Sequence, residues 1–325
     1  MSDLPSYVTR PGEAVHLQPF QCANTQMYGF YLRGDKAAIQ QRLVDPVLNT
    51  PTDGGITFRA ISDLVLLSFA MANRCTSTLA PDSRFGWVPE GSWTLWVPVV
   101  TVKRELGIEV AQSLYFYPAY ITVDNSWSVA AGREIYGFPK GYGPVELPLQ
   151  GQHGLRFAAS TLVMERYGPD SEGQVRPVIE VTQTEAGTAA GAVWQDIEDA
   201  VGAIAHLLTG SGAHLTLPGL NFAHDLARLA REEEVPGVFL KQFRDVADGS
   251  RACYQAIVAA GSFVDRFNGG GLLTGTFEAT IADFDSHPIA RDLGLAPGAQ
   301  RLEFPFWVNM DFTIGQGSEL WTAGQ

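Results

Sequence analysis

Residues 132–140 read Gly132-Arg133-Glu134-Ile135-Tyr136-Gly137-Phe138-Pro139-Lys140. A single lysine follows a proline at the end of an apolar and aromatic run. An ordinary lysine has a pKa of about 10.4, so almost none of it is free amine at neutral pH. A lysine that attacks carbonyl carbon must be shifted downward, by burial or by a second cation close by. Tyr136, Gly137, Phe138 and Pro139 form an approach able to keep water away. Pro139 fixes its own φ and biases Phe138 toward extended backbone. Gly137 and Gly141 are expected to let the chain bend tightly around the lysine. The local chemistry leaves two readings open. Lys140 is either an amine that forms a Schiff base with a keto acid or a surface lysine in a Pro-Lys-Gly turn.

Working outward, the chain has 325 residues, 46% of them apolar and 18% charged. That composition belongs to a folded globule large enough to bury a core without disulfides or a structural metal. The net charge is −13. An acidic surface is repelled by phosphate backbones and anionic lipid, which argues against nucleic acid and membrane partners. Cys22, Cys75 and Cys253 are widely spaced, with no Cys-x-x-Cys, so buried free thiols are expected rather than disulfides or zinc. None of the six histidines has metal-ligand spacing, and no metal or cofactor is expected. The start of the chain lacks a signal pattern and no apolar run reaches about 18 residues, which makes the cytoplasm the expected location. The half-match to a dinucleotide loop at 210–215 lacks its last glycine and follows a helix, so it is set aside. Gly269-Gly270-Gly271 reads as a flexible turn.

Strand patterns dominate. Met27 to Arg33, Leu64 to Ala72, Trp87 to Val102, Leu114 to Val123, Val145 to Leu149, Leu155 to Val163 and Val175 to Thr184 read as strands. So do Val238 to Val246, Arg251 to Ala259, Leu272 to Phe284 and Phe304 to Ile314. Arg74 to Arg84 reads as a loop. Asp35 is placed to cap a helix over Lys36 to Val44, ended by Asp45-Pro46. Ala192 to Leu208 has Trp194, Ile197, Val201, Ile204 and Leu208 at helical spacing. Asn221 is placed to cap a second helix through Glu234. Ser286-His287-Pro288 reads as the start of a short helix. The predicted fold class is α+β, mainly β, in one domain over 1–325 with a helical insertion at about 190–235. Strand patterns alone do not separate a barrel from a sandwich.

The lysine stretch resembles the Schiff-base motif of the acetoacetate decarboxylase superfamily. Asp35 to Pro46, Ser62 to Ala72, Gly86 to Val99, Phe239 to Ile257 and Thr276 to Phe306 are similar to further family segments in the same order. The resemblance implies a closed antiparallel β-barrel with peripheral helices and the lysine inside. It implies that Glu90, in Gly-Trp-Val-Pro-Glu, is an active-site acid. It also exposes departures. True acetoacetate decarboxylases carry a second lysine after the reactive one, where this chain has Gly141. The family's early acid falls at Ser68, and its arginine falls near Thr25 or Gln26. These losses resemble members that keep the imine lysine but run aldol condensation, dehydration or cyclisation.

The expected catalytic residues are therefore Lys140 and Glu90, the latter moving protons near the imine. The expected substrate-binding residues are Tyr136, through its hydroxyl or as plain packing, and Arg133. Arg133 has two readings, an ion pair with Glu134 or a clamp on a substrate carboxylate. The expected function is a Schiff-base-forming lyase of aldolase/dehydratase type acting on a small keto acid. The alternatives are a β-keto acid decarboxylase and a non-catalytic barrel that binds an apolar or carbonyl ligand. A homo-oligomer is the expected assembly.

Overall fold

The computed structural model describes residues 4–10, 12–13, 15–148, 154–187, 191–210 and 231–324. In chain order its strands begin with β1 (Phe20–Arg33), β2 (Thr57–Ala60), β3 (Leu64–Ser77), β4 (Val88–Glu105) and β5 (Ile108–Val123). Then come β6 (Lys140–Tyr142), β7 (Val145–Glu146), β8 (Arg156–Val163), β9 (Gln174–Ala186) and β10 (Val193–Trp194). The last are β11 (Glu234–Arg244), β12 (Ala252–Leu272), β13 (Gly275–Ile281), β14 (Gln300–Arg301), β15 (Glu303–Ile314) and β16 (Ser318–Thr322). The helices are α1 (Lys36–Ile39), α2 (Ser126–Ala131), α3 (Ile197–Gly210) and α4 (Ile289–Asp292).

Seven strands close into a barrel in the order β4-β3-β1-β15-β12-β11-β5, with β5 returning to β4. Closure removes the exposed edges that an open sheet of this size would carry. The ring is antiparallel at every junction but one. β11 lies parallel to β5, with Gly237 opposite Phe116. A parallel neighbour needs a long crossover, and here the crossover carries α2, β6 to β10 and α3.

That second sheet has the order β14-β13-β9-β8-β7 and covers one side of the barrel. The reason lies in β3. Its residues Leu64, Leu66, Ser68 and Ala70 face the barrel interior, while Val65, Leu67 and Phe69 are buried in the core shared with the second sheet. A strand buried on both faces reads as a continuous apolar run. Phe69 and Phe30 meet Phe157 of β8 at ring-centroid distances of 5.4 and 5.2 Å, and Phe30 meets Phe277 of β13 at 5.3 Å. The main core is thus outside the barrel, and the barrel interior is left as a cavity.

Several expectations are corrected. The Asp35 cap forms, accepting from the Ala38 N–H at 2.7 Å, but the helix runs past Pro46 to Asn49. From Gln40 it widens to i→i+5 bonding, which relieves the clash a proline imposes on a tighter helix. The Asp45 carboxylate accepts there from Gln40 and Asn49, both at 2.7 Å. Trp194 does not sit on a helix. It pairs with Gly270 in β10, and α3 starts three residues later. Gly269 to Gly271 is not a turn but the end of the 21-residue β12. Residues without side chains are needed there, since a Cβ at 271 would lie 2.4 Å from the Ala192 carbonyl oxygen. β3 extends to Ser77, through the first four residues of the predicted loop. Ser286 bonds Met164 rather than capping α4, and β16 was not predicted. The helix expected over 221–234 lies outside the described residues up to 230, as does the 211–215 part of the glycine loop. Among the described residues no helix is long and apolar enough to cross a membrane.

Candidate active site

Lys140 opens β6, which pairs with β5 through Ile121. The segment before it explains its placement. Asn125 caps α2, its Oδ1 accepting from the Trp127 and Ser128 N–H groups at 2.9 and 3.3 Å. The same side chain donates from Nδ2 to the Pro89 carbonyl at 2.7 Å. One residue thus ties α2 to the start of β4, next to Glu90. Asn125→Ala should cost about 1 kcal/mol of stability, the usual worth of a cap, read as a lower midpoint in a denaturant melt.

After α2 the chain continues as a wide helical turn over Gly132–Tyr136 and stops at Gly137, whose φ is 90°. A Cβ at 137 would also meet Lys241 Cα at 2.6 Å and the Leu240 oxygen at 2.7 Å. Gly137→Ala should therefore lower stability by about 2 kcal/mol, through left-handed strain and backbone collision, measurable in the same melt. The chain then reverses, and the Lys140 side chain lies back over Gly132. A Cβ at 132 would stand 2.8 Å from Lys140 Cδ, 3.0 Å from Cε and 3.3 Å from Nζ. The glycines that shape the site are thus 132 and 137. Gly141, expected to bend the chain, lies in β6 opposite Thr122. Because a lysine stem is flexible, Gly132→Ala should leave the melt nearly unchanged while moving the amine. Turnover should fall roughly tenfold or more, since misplacing a reacting atom by about 1 Å is enough for that.

Lys140 is 8% exposed. Its Nζ donates to Ser128 Oγ at 2.5 Å, lies 3.6 Å from Glu90 Oε2, and stands 5.3 Å from the Phe138 ring centroid. These groups line a cavity of about 100 Å³ under one end of the barrel, together with Phe20, Cys22, Cys75 and Tyr136. Phe138 packs on Phe239 at 4.1 Å, closing the apolar side. Burial lowers the pKa values of Lys36 and Lys241, but neither lines this cavity.

The structure brings together Lys140, Glu90 and Tyr136 and leaves Arg133 out. Glu90 lies in β4 opposite Ala72. Its neighbour Asp124 accepts from the Gly91 N–H at 2.7 Å. The Asp124 carboxyl is held above the usual range, first by burial, against the Gly91 N–H, with the Glu90 charge adding to the rise. The buried Tyr136 ring lines the cavity, but its hydroxyl donates to the Gly315 carbonyl at 2.8 Å. Burial also pushes that phenol above its ordinary range. Arg133 is exposed and donates to the Lys140 carbonyl at 3.4 Å, so it braces the backbone of the site from outside the cavity.

Three features escaped the sequence reading. Ser128 was not singled out in the sequence, and its contact with Lys140 comes from the helical geometry of α2. Gly132 was visible in the motif without a role. Cys22 and Cys75, distant in sequence, face each other across β1 and β3 with their sulfurs 3.2 Å apart. Cys22 is held well above the usual thiol range, first by its bond with Cys75 and then by burial, so it remains a thiol at neutral pH and is a poor nucleophile. Cys253 is exposed rather than buried.

The family model described as acetoacetate decarboxylase matches residues 4–161. That span holds Glu90, Ser128 and the whole 132–140 stretch. Among solved structures, acetoacetate decarboxylase from Legionella pneumophila subsp. pneumophila str. Philadelphia 1 superposes with a TM-score of 0.60 at 14% identity, covering 99% of this chain and 93% of that one. An acetoacetate decarboxylase-like enzyme from Sphingomonas wittichii RW1 gives 0.55 at 14% identity, with 97% and 98% covered. The enduracididine biosynthesis enzyme MppR complexed with pyruvate gives 0.54 at 15% identity, with 94% and 92% covered. No curated protein sequence matches the chain. The acetoacetate decarboxylase family model thus matches just under half of the chain, and the chain shares the fold of acetoacetate decarboxylase-like proteins along nearly its whole length.

Proposed function

We propose that the chain is a Schiff-base-forming lyase that acts on a keto acid through Lys140, with aldolase/dehydratase chemistry. One observation carries the reading. A buried amine lies 3.6 Å from a carboxylate and in contact with a hydroxyl, in an apolar cavity. Glu90 is placed to take the proton from the ammonium, which frees the amine to attack the keto carbon. The carbinolamine loses water as Glu90 returns a proton to the departing oxygen. The resulting iminium draws electrons from the adjacent carbon, so a proton leaves there and an enamine forms. The enamine carbon then adds to an aldehyde. Loss of water from that adduct and hydrolysis of the imine return the free lysine. Ser128 holds Nζ in position, and the aromatic walls exclude bulk water.

The neighbour MppR supports this direction, because it has been solved with pyruvate and with the condensation product of pyruvate and imidazole 4-carboxaldehyde. The match to the decarboxylase model favours a second reading. The same iminium would accept the electron pair left when a β-keto acid loses carbon dioxide. Incubation with pyruvate plus an aldehyde, and separately with acetoacetate, distinguishes the two. Condensation product without carbon dioxide release is the expected result. Carbon dioxide release from acetoacetate alone would transfer the assignment to decarboxylation. Product from neither would leave a ligand-binding barrel.

A further inference from the structure

The barrel interior is a second cavity, of about 320 Å³, roughly three times the volume of the lysine cavity. It falls within the range of about 300–1,000 Å³ typical of small-molecule sites. At a liquid-like share of about 30 Å³ per small group, the lysine cavity holds little more than a keto-acid head. The interior adds room for on the order of ten non-hydrogen atoms. The two cavities share Phe138, Phe312 and Ile314 as lining residues. The same three side chains therefore border both the amine's cavity and the interior.

The chemistry of the interior is selective. Its wall is built from Leu64, Leu66, Phe116, Val264, Phe306 and other apolar groups. Its polar lining is mostly hydroxyls, and the Trp96 indole N–H already donates to Ser68 at 3.0 Å. Among the described residues, the charged side chains lining it are Glu233 and Glu234. An anionic tail would meet like charge there, while a neutral tail would not. Small residues leave the space open. Ala70 of β3 faces Ser92 of β4 directly across the sheet, and both line the cavity. Ile197, Ala200, Val201 and Ile204 of α3 line it at the far end from Lys140. α3 therefore walls the interior rather than the lysine cavity.

We infer that the substrate is a keto acid with a neutral, largely apolar tail of about ten non-hydrogen atoms, its head at Lys140 and its tail passing beside Phe138, Phe312 and Ile314 into the barrel. This rests on the lysine reading for the head and on the interior cavity for the tail, and the two are tested separately. Borohydride labelling is run with pyruvate, 2-oxohexanoate and 2-oxodecanoate on the intact chain, on Ala70→Phe and on Ser92→Leu. Each buried CH₂ adds about three- to fourfold in affinity. The concentration for half-labelling should therefore fall at least about 100-fold from pyruvate to 2-oxodecanoate. Either filling variant should erase most of that gain and leave pyruvate labelling unchanged. Pyruvate labelling as well as 2-oxodecanoate, or folded variants that do not respond, would overturn the inference while leaving the lysine chemistry intact. Equilibrium dialysis of 2-oxodecanoate against Lys140→Ala supplies the second arm. Binding that Ala70→Phe abolishes in that background supports the tail site even if no lysine adduct forms. No binding there would refute it.

Discussion

Lys140→Ala is expected to lower turnover by at least about 10⁴-fold, the scale seen when a covalent nucleophile is removed. Its fold should be intact. The side chain is buried, yet its contacts are one hydroxyl, one carboxylate 3.6 Å away and a ring face. Truncation leaves Glu90 without its ion-pair partner, and the Glu90 side chain is 18% exposed, so solvent reaches the carboxylate that is left behind. A melt within a few degrees of the parent, combined with lost turnover, would separate chemistry from stability. Retained turnover within tenfold would remove the lysine from the mechanism.

Glu90→Gln carries the second-largest effect. General acid–base catalysis contributes about 10²–10⁴-fold, and Glu90 is the carboxylate in contact range of Nζ among the described residues. Turnover should fall by about 10²-fold. Labelling by pyruvate and borohydride should still go to completion at long times, because the amine remains. That split is informative. A variant that turns over slowly but still forms the imine places Glu90 in proton transfer rather than in lysine placement. Equal loss of both would make it a structural partner of Lys140.

What the sequence revealed about this fold follows from period. β3 and β4 have continuous apolar or aromatic content because both of their faces are covered, and they were legible as strands. Ring closure was not legible, because it depends on the β11–β5 pairing across more than a hundred residues and is stated by no local pattern. The insertion was half legible. The α3 periodicity is real, but Trp194 was counted with it although that ring fills a gap above Gly270. At the site, a lysine motif of nine residues announces a nucleophile, whereas the contact with Ser128 depends on where a helix is capped. Arg133 illustrates the converse. Charge and proximity in sequence suggested a substrate clamp, but the helical turn projects that side chain away from the cavity and onto the backbone carbonyl of Lys140. Pro46 shows a third limit, because a proline ends a helix only when the helix keeps its usual bore.

The most direct test of the account is intact mass spectrometry after pyruvate and borohydride, followed by peptide mapping. One reduced pyruvate adduct per chain on Lys140, absent from Lys140→Ala, is the predicted result. No adduct, or an adduct mapped to Lys241 or Lys36, whose amines are lowered in pKa by burial, would contradict it.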